Sequence, residues 1–150
     1  MELLKKAEEL VNASTMQARV ASGTGYGTDW VMSLIDEDGY PAASMITAAS
    51  ANGFEWIAFC TGLGWSKPNR AQRDPRSCIY LFDEKSFTGI SLVGKTEVLT
   101  DLKVKKQMWY DDLGSFFTGP EDERLCVLLF RPERYNIYVE NQTIRGTFAP

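Results

Sequence analysis

The fold is decided by the stretch Phe59-Cys60-Thr61-Gly62-Leu63-Gly64-Trp65-Ser66-Lys67. An apolar strand over residues 54–60 leads into a turn with two glycines, which places a threonine, a serine and a lysine close together. In such a turn, main-chain N–H groups can approach an anion, hydroxyls donate hydrogen bonds to it, and a lysine adds a positive charge. Two interpretations stay open for residues 61–67, here called the glycine turn: an anion-binding turn, or a plain β-turn with a solvated lysine.

Antiparallel strands are predicted on both sides of the glycine turn. Residues 36–39 contain an Asp-Gly pair, which is typical of a tight hairpin between two strands. The predicted elements, in chain order, are helix 2–13, a loop over 16–28, strands 30–35, 42–48 and 54–61, helix 68–73, strands 77–82 and 86–99, helix 102–109, and residues 125–131 and 134–139 as a strand pair or one bent strand.

This order of elements indicates a mainly β protein. Short turns connect the strands, and the strand–helix–strand rhythm of a parallel sheet does not occur, so we expect a small β-barrel of about six antiparallel strands with flanking helices. One domain is expected to span residues 1–150. The glycine-rich segment 23–27 invites comparison with a nucleotide-binding loop, but a strand follows it and it has no P-loop lysine, so a loop is favoured there.

The composition limits the class of protein. The chain has 150 residues, a net charge of −4 and 44% hydrophobic residues, which is typical of a globular domain. The negative charge argues against duplex nucleic acid as a partner. No apolar stretch approaches membrane-spanning length and the N-terminus lacks a signal-peptide pattern, so we expect a cytoplasmic protein without a membrane partner.

The chain contains no histidine. Nucleophile systems of the Ser-His-Asp and Cys-His types are therefore excluded, and because the commonest metal ligand is missing we expect no metal site. Cys60, Cys78 and Cys126 are widely spaced in predicted apolar strands, where small buried hydrophobes are their expected role. Redox chemistry in this chain would need an organic cofactor.

Aromatic residues make up 12% of the chain, with four tryptophans. A flat ring ligand, a dimer interface and an ordinary core would each use such residues. Residues 110–120 form an aromatic, acidic loop, in which an exposed Phe116 and Phe117 pair would be explained by burial against a partner. The carboxylates in this loop and directly after it are catalytic candidates by location alone, and solvated side chains are their expected role: Asp111, Asp112, Glu121 and Asp122.

Three segments resemble the pyridoxamine 5'-phosphate oxidase-like flavoproteins. Ile35-Asp36-Glu37-Asp38-Gly39-Tyr40-Pro41 is similar to the first hairpin of that family. The glycine turn, followed by Arg73-Asp74-Pro75 and an apolar strand, resembles the family's phosphate-binding turn and the helix after it. Val93-Gly94-Lys95-Thr96-Glu97-Val98, then Asp101, resembles a later strand and helix start. The resemblance covers residues 30–110 and is nearest to the general stress protein 26-like branch.

The resemblance implies a split-barrel homodimer that binds FMN at the subunit interface. It implies no metal site and identifies no catalytic residue. The cofactor-binding residues that it implies are Ser44, Met45, Ile46 and Thr47 beside the flavin ring and phosphate, Cys60 and Thr61 at the end of the third strand, and Ser66 and Lys67 at the phosphate.

The chain also departs from the oxidases. Ser44 stands where they carry an arginine, and Trp65 and Ser66 stand where they carry a serine and an arginine. Near the C-terminus, Arg145-Gly146-Thr147 stands where they place an arginine and a histidine against the vitamin substrate, so genuine pyridoxamine 5'-phosphate oxidation is not expected. An FMN-dependent oxidoreductase of unknown substrate is the leading interpretation. The alternatives are a non-catalytic flavin carrier or sensor, and a relative that uses haem or a deazaflavin.

Overall fold

The computed structural model describes residues 1–25, 27 and 30–149. Its helices are α1 (Glu2–Ala13), α2 (Met16–Ser22), α3 (Ser66–Arg73) and α4 (Leu102–Met108), with a 3₁₀ helix at Asp111–Ser115. Its strands are β1 (Trp30–Ile35), β2 (Pro41–Ile46), β3 (Ala48–Asn52), β4 (Trp56–Gly62), β5 (Arg76–Asp83), β6 (Thr88–Leu99), β7 (Leu125–Val139) and β8 (Gln142–Thr147).

The β1–β2 hairpin forms where the Asp-Gly pair predicts it. The Asp36 carboxylate accepts hydrogen bonds from the N–H groups of Asp38 at 3.0 Å and Tyr40 at 2.9 Å. These bonds lower the pKa of Asp36, the bond from Tyr40 having the larger effect. Gly39 takes a φ of +86°, in the left-handed region that glycine enters without steric cost. The turn is therefore encoded by residues within it.

The loop predicted over residues 16–28 is wrong for its first half. Thr15 caps α2, because its hydroxyl accepts a hydrogen bond from the Ala18 N–H at 3.3 Å. The helix ends at Gly23, which has a φ of +73°. Of the glycine-rich segment, Tyr26 lies outside the described residues. The short helix was missed because its length gives little periodicity to detect.

The sheet closes on itself through the β2–β3 connection. The strand order is β2-β1-β5-β6-β7-β4-β3, with β8 beside β7, and every described pair is antiparallel. The two end strands of this order, β2 and β3, are separated in sequence by Thr47 alone. The sheet must therefore curve until its two ends meet, which produces a barrel with a seam between β2 and β3.

Two hydrophobic clusters pack on opposite faces of the sheet. The main cluster fills the barrel with alternate strand residues, including Trp30 and Phe59, whose rings meet edge to face at 6.1 Å. The Trp30 indole N–H donates to the Ser14 carbonyl at 2.9 Å and so anchors the end of α1. The second cluster lies outside β3, β4 and β7, under α2, α4 and the 3₁₀ helix. The outer faces of β1, β2 and β5 carry no such cover in the described structure.

The expected barrel is confirmed, and eight strands form in the described chain where about six were expected. The two extra strands are β3, which Thr47 separates from β2, and the C-terminal β8. Residues 125–139 form one bent strand and not a pair, with a register shift against β6 beside Pro132. No helix within residues 1–25, 27 and 30–149 is long and apolar enough to cross a membrane.

The expectation of an exposed phenylalanine pair is half wrong. Phe116 is 64% exposed, whereas Phe117 is 5% exposed and belongs to the second cluster.

The three cysteines are free; Cys60 and Cys126 are buried and Cys78 is partly buried. The described residues contain no group of three His, Cys, Asp or Glu side chains placed to hold a metal ion.

Candidate functional site

Hydrogen bonds and one left-handed residue hold the glycine turn between β4 and α3. The Leu63 N–H donates to the Arg124 carbonyl at 2.7 Å, and the Trp65 N–H donates to the Gly62 carbonyl at 3.1 Å. Gly64 has a φ of +85°, which residues with a side chain rarely adopt. The turn therefore has one defined shape, and α3 begins at Ser66.

The first turn of α3 presents unsatisfied donors. The N–H groups of Ser66 and Lys67 have no acceptor among residues 1–25, 27 and 30–149, and the N-cap residue Trp65 supplies no side-chain hydrogen bond. Pro68 has no N–H, and the N–H of Asn69 already donates to the Trp65 carbonyl at 3.3 Å. Two adjacent free N–H groups at the positive end of a helix favour an anion.

Lys67 adds an uncompensated charge at this helix end. Its side chain is half-buried and makes no ion pair or hydrogen bond within the described part of the chain. Burial, and secondarily the charge of Arg70, lowers the pKa of Lys67. Arg70 itself is paired with Glu37 of the β1–β2 hairpin at 3.3 Å. An anion beside Lys67 would offset the cost of burying its ammonium group.

The side chain of Thr61 lies at the start of the glycine turn. Thr61 is 7% exposed, and its side chain makes no hydrogen bond within the described residues. The pairing of β3 with β4 stops where Ala48 faces Phe59, so the far edge of residues 60–62 has no strand partner there. Thr47, the residue before Ala48, therefore adjoins this edge. The structure thus gathers the predicted residues Thr47, Cys60 and Thr61 at one corner of the barrel.

The predicted residues of β2 divide between the two faces of the strand. Ser44 is exposed and lies opposite the buried Met32, on the side of the barrel interior. Met45 is 69% exposed on the outer face. Ile46 is 7% exposed and packs in the main cluster, so only its main chain is accessible to a ligand. Of the three predicted β2 residues, Ser44 and Met45 have accessible side chains.

The Cys60 side chain points into the second cluster. Its thiol donates to the Met108 carbonyl at 3.5 Å. Burial raises the pKa of Cys60 to about 12, and the neighbouring Cys126 adds to the shift. A thiol with this pKa carries almost no thiolate at neutral pH, so Cys60 is not a nucleophile. Any contact of Cys60 with a ligand at the barrel corner would come from its main chain.

The sequence comparison decides the family. The pattern of the family described as Pyridoxamine 5'-phosphate oxidase matches residues 30–138, which is more than half of the chain. The chain belongs to the pyridoxamine 5'-phosphate oxidase family. No curated protein matches it in sequence. The match includes the β1–β2 hairpin, the glycine turn and α3, so every residue of the candidate site lies inside it.

Solved structures show the same fold at low identity. A Clostridium acetobutylicum protein related to general stress protein 26 of B. subtilis has a TM-score of 0.72 and 21% identity, covering 94% of this chain and 96% of its own. General stress protein 26 from Bacillus anthracis has a TM-score of 0.70 and 16% identity, covering 93% and 98%. A pyridoxamine 5'-phosphate oxidase-related, FMN binding protein from Nostoc punctiforme has a TM-score of 0.67 and 13% identity, covering 86% and 91%.

Trp65 is a site residue whose contacts the sequence reasoning missed. A Cβ built on Gly62 would lie 2.5 Å from the indole carbon Cε2 of Trp65, so the ring lies directly on the glycine. Its centroid is 5.8 Å from that of Phe117, at an interplanar angle of 32°. The indole is still 51% exposed. The signal in the sequence was the small Gly62 three residues before a tryptophan.

Among the loop carboxylates, Asp122 is engaged in the local structure of the loop. Asp122 pairs with Arg124 at 2.7 Å and accepts a hydrogen bond from the Thr118 N–H at 2.9 Å. These hydrogen bonds hold the pKa of Asp122 far below its usual range, and the bond from Arg124 has the largest effect. Asp122 is therefore a structural anion. Asp111 and Asp112 are exposed and lie in the 3₁₀ helix beside the second cluster, away from the glycine turn in sequence.

Proposed function

We propose that this member of the pyridoxamine 5'-phosphate oxidase family is a flavoprotein that binds FMN. The observation that carries the proposal is the half-buried Lys67 without a carboxylate partner in the described structure, at a helix end with two free N–H groups. Hydroxyl, N–H and ammonium groups together suit a phosphate. The family match and the FMN binding named for the Nostoc structure support flavin as the class of ligand.

We assign the other predicted cofactor contacts to the corner of the barrel beside the glycine turn. The phosphate binds at Ser66 and Lys67, and the Thr61 hydroxyl at the start of the same turn is a further donor. The main chain of Ile46 and Cys60, with Thr47 and the side chains of Ser44 and Met45, lines the approach to the flavin. No step of chemistry is assigned to these residues: bound flavin would supply the redox chemistry, and the protein would supply position and electrostatics.

We further propose a cytoplasmic homodimer with the cofactor at its interface. Support comes from three exposed aromatic residues, which are Phe82 of β5, Phe87 of the turn between β5 and β6, and Tyr138 of β7. Phe82, Phe87 and Tyr138 form a chain of edge-to-face contacts there, at 5.3 Å and 6.1 Å. A contiguous exposed apolar patch of this kind marks an interaction surface.

An oxidoreductase of unknown substrate is the function that we favour, and a non-catalytic flavin carrier or sensor is the second candidate. One observation favours the carrier: Arg70, the guanidinium nearest to Lys67 in sequence, is engaged with Glu37, so the site offers few free cations to retain a phosphate. Steady-state assays with NADH or NADPH distinguish the two. Turnover supports the oxidoreductase, and tight flavin without turnover supports the carrier.

Titration of flavin-free protein with FMN and with riboflavin tests the flavin proposal. Riboflavin has the same ring and no phosphate. We expect quenching of flavin fluorescence on binding, and a much higher affinity for FMN because only FMN reaches the glycine turn. Equal and weak affinity for both ligands would refute phosphate binding at this turn.

A further inference from the structure

An open cavity lies between α2 and the segment that follows α4. Its volume is about 370 Å³, which is within the range of roughly 300–1,000 Å³ that is typical of small-molecule sites. Gln17, Val20 and Ala21 of α2 form one wall, and residues 109–112 form the other. None of these residues belongs to the glycine turn or to β2, so the cavity is separate in the chain from the proposed cofactor contacts.

The apolar part of this cavity is built on the second cluster. Tyr110 is buried in that cluster, and the partly buried Trp109 packs against it. On the α2 side, Val20 is 66% exposed although it is a large aliphatic residue. An apolar body in the cavity would remove Val20 from water and would contact aromatic residues that the protein already holds in place.

The amide of Gln17 is fixed by the end of α4. Its Nε2 donates to the Gln107 carbonyl at 2.7 Å and to the Trp109 carbonyl at 3.4 Å. Its Oε1 accepts no hydrogen bond within residues 1–25, 27 and 30–149. An amide side chain has two N–H donors and one acceptor oxygen, so Gln17 has only its acceptor left for a ligand.

The charged side chains of the cavity are both carboxylates. Asp111 and Asp112 are exposed, and neither makes an ion pair or a side-chain hydrogen bond within the described part of the chain. No lysine or arginine is among the described residues that line the cavity. Carboxylates, an amide oxygen and aromatic rings are all groups that attract an ammonium ion.

We propose that this cavity binds a small organic cation, which is a protonated amine with an apolar ring or chain. The ammonium group binds at the Asp111 and Asp112 carboxylates and at Gln17 Oε1, and the apolar body covers Val20 and Trp109. A neutral ligand would gain nothing from the two carboxylates, and an anion would be repelled by them. The site does not depend on the proposed flavin site.

Two-dimensional NMR titrations of the isotope-labelled protein with phenethylamine and with phenethyl alcohol test the proposal. The two probes share the ring and the carbon chain, and only the amine is charged at neutral pH. The resonance of the Trp109 indole N–H, identified by its loss in Trp109→Phe, reports binding at this cavity. We expect saturable shifts, with the amine bound about tenfold more tightly than the alcohol, which is the size of two partly solvated ion pairs.

Three variants identify the groups responsible. Asp111→Asn with Asp112→Asn should bring the two dissociation constants to within about twofold of each other. Glu84→Gln with Glu123→Gln is the matched control and should keep the wild-type preference, because it removes two exposed carboxylates that lie outside the cavity and have no ion pair in the described structure. Val20→Lys adds a positive charge at an exposed position of α2, and it should weaken binding of the amine more than binding of the alcohol.

The outcomes either support or overturn the proposed cation site. Equal affinity of the wild type for the two probes, or no saturable shift of the Trp109 resonance, overturns the proposal. A preference for the amine that survives both the asparagine pair and Val20→Lys also overturns it, because another site would then be responsible. A titration with added FMN should give an unchanged affinity for the amine. Competition between the two ligands would overturn the assignment of a separate site.

Discussion

Removing the two phosphate-binding side chains, Ser66→Ala with Lys67→Ala, is the most direct test of the proposed site. Both residues are in the first turn of α3, and neither side chain makes a hydrogen bond or an ion pair within the described residues. Alanine is the best helix former, so α3 should persist in the variant. A change in FMN affinity can then be attributed to the lost ligand contacts.

The expected magnitude follows from the two contacts. A hydrogen bond to a charged group contributes about 1.5–3 kcal/mol when water is displaced from it. Lys67 is half-buried and Ser66 is exposed, so we take the lower part of that range for each. The sum is about 3–4 kcal/mol, which is roughly a 140- to 700-fold loss of FMN affinity.

Quenching of flavin fluorescence measures the affinity of the wild type and the double variant for FMN and riboflavin. Riboflavin affinity should be unchanged, because riboflavin has no phosphate. Lys103→Ala, at an exposed position of α4, is the control for loss of one positive charge. The reasoning fails if the double variant binds FMN as the wild type does, or if riboflavin binding falls by the same factor.

Three further predictions concern the same corner of the barrel. Because burial lowers the pKa of Lys67, FMN affinity should fall as the pH rises through that depressed value, and Lys67→Arg should remove this dependence in titrations from pH 6 to about 10. A flat profile in the wild type would contradict the assignment of Lys67. Gly62→Ala should displace the Trp65 ring and lower the free energy of unfolding by about 1–3 kcal/mol in urea titrations, and paired with Trp65→Ala its cost should largely vanish. Since burial raises the pKa of Cys60 to about 12, a thiol reagent should modify Cys78 in the native protein and Cys60 only after unfolding, as mass spectrometry would show; modification of Cys60 first would contradict the buried geometry.

Locally encoded parts of the fold could be predicted from the sequence. The β1–β2 hairpin depends on Asp36 and Gly39, which lie within four residues of each other and need no distant partner. The strand β8 could not be predicted in this way, because most of its residues are polar and its strand structure depends on pairing with β7. The burial of Phe117 likewise depends on Trp65, which is remote in sequence.

The candidate site likewise contains features that depend on nearby residues and features that depend on residues distant in sequence. The shape of the glycine turn depends mainly on residues within the turn, so its position could be predicted from the sequence. The environment of Lys67 could not be predicted, because the neighbouring Arg70 pairs with Glu37, a residue of the β1–β2 hairpin. The pairing register of β2 and β4 places the side chains of Ile46 and Cys60 on covered faces of the sheet. Only their main chain is therefore accessible to a ligand. An alternating strand pattern does not say which of its two faces is covered.

The single-residue link at Thr47 has a consequence for how the protein folds. β2 and β3 are neighbours in sequence, yet they occupy opposite ends of the pairing order, and Ile57 of β4 pairs with Phe130 of β7. The β1–β2 hairpin can form from residues that are close in sequence. β3 can join the sheet only after strands that are far apart in sequence have paired, and this pairing requires the closure of long loops. Such a high contact order predicts refolding over roughly milliseconds to seconds, with the cofactor corner among the last regions to form.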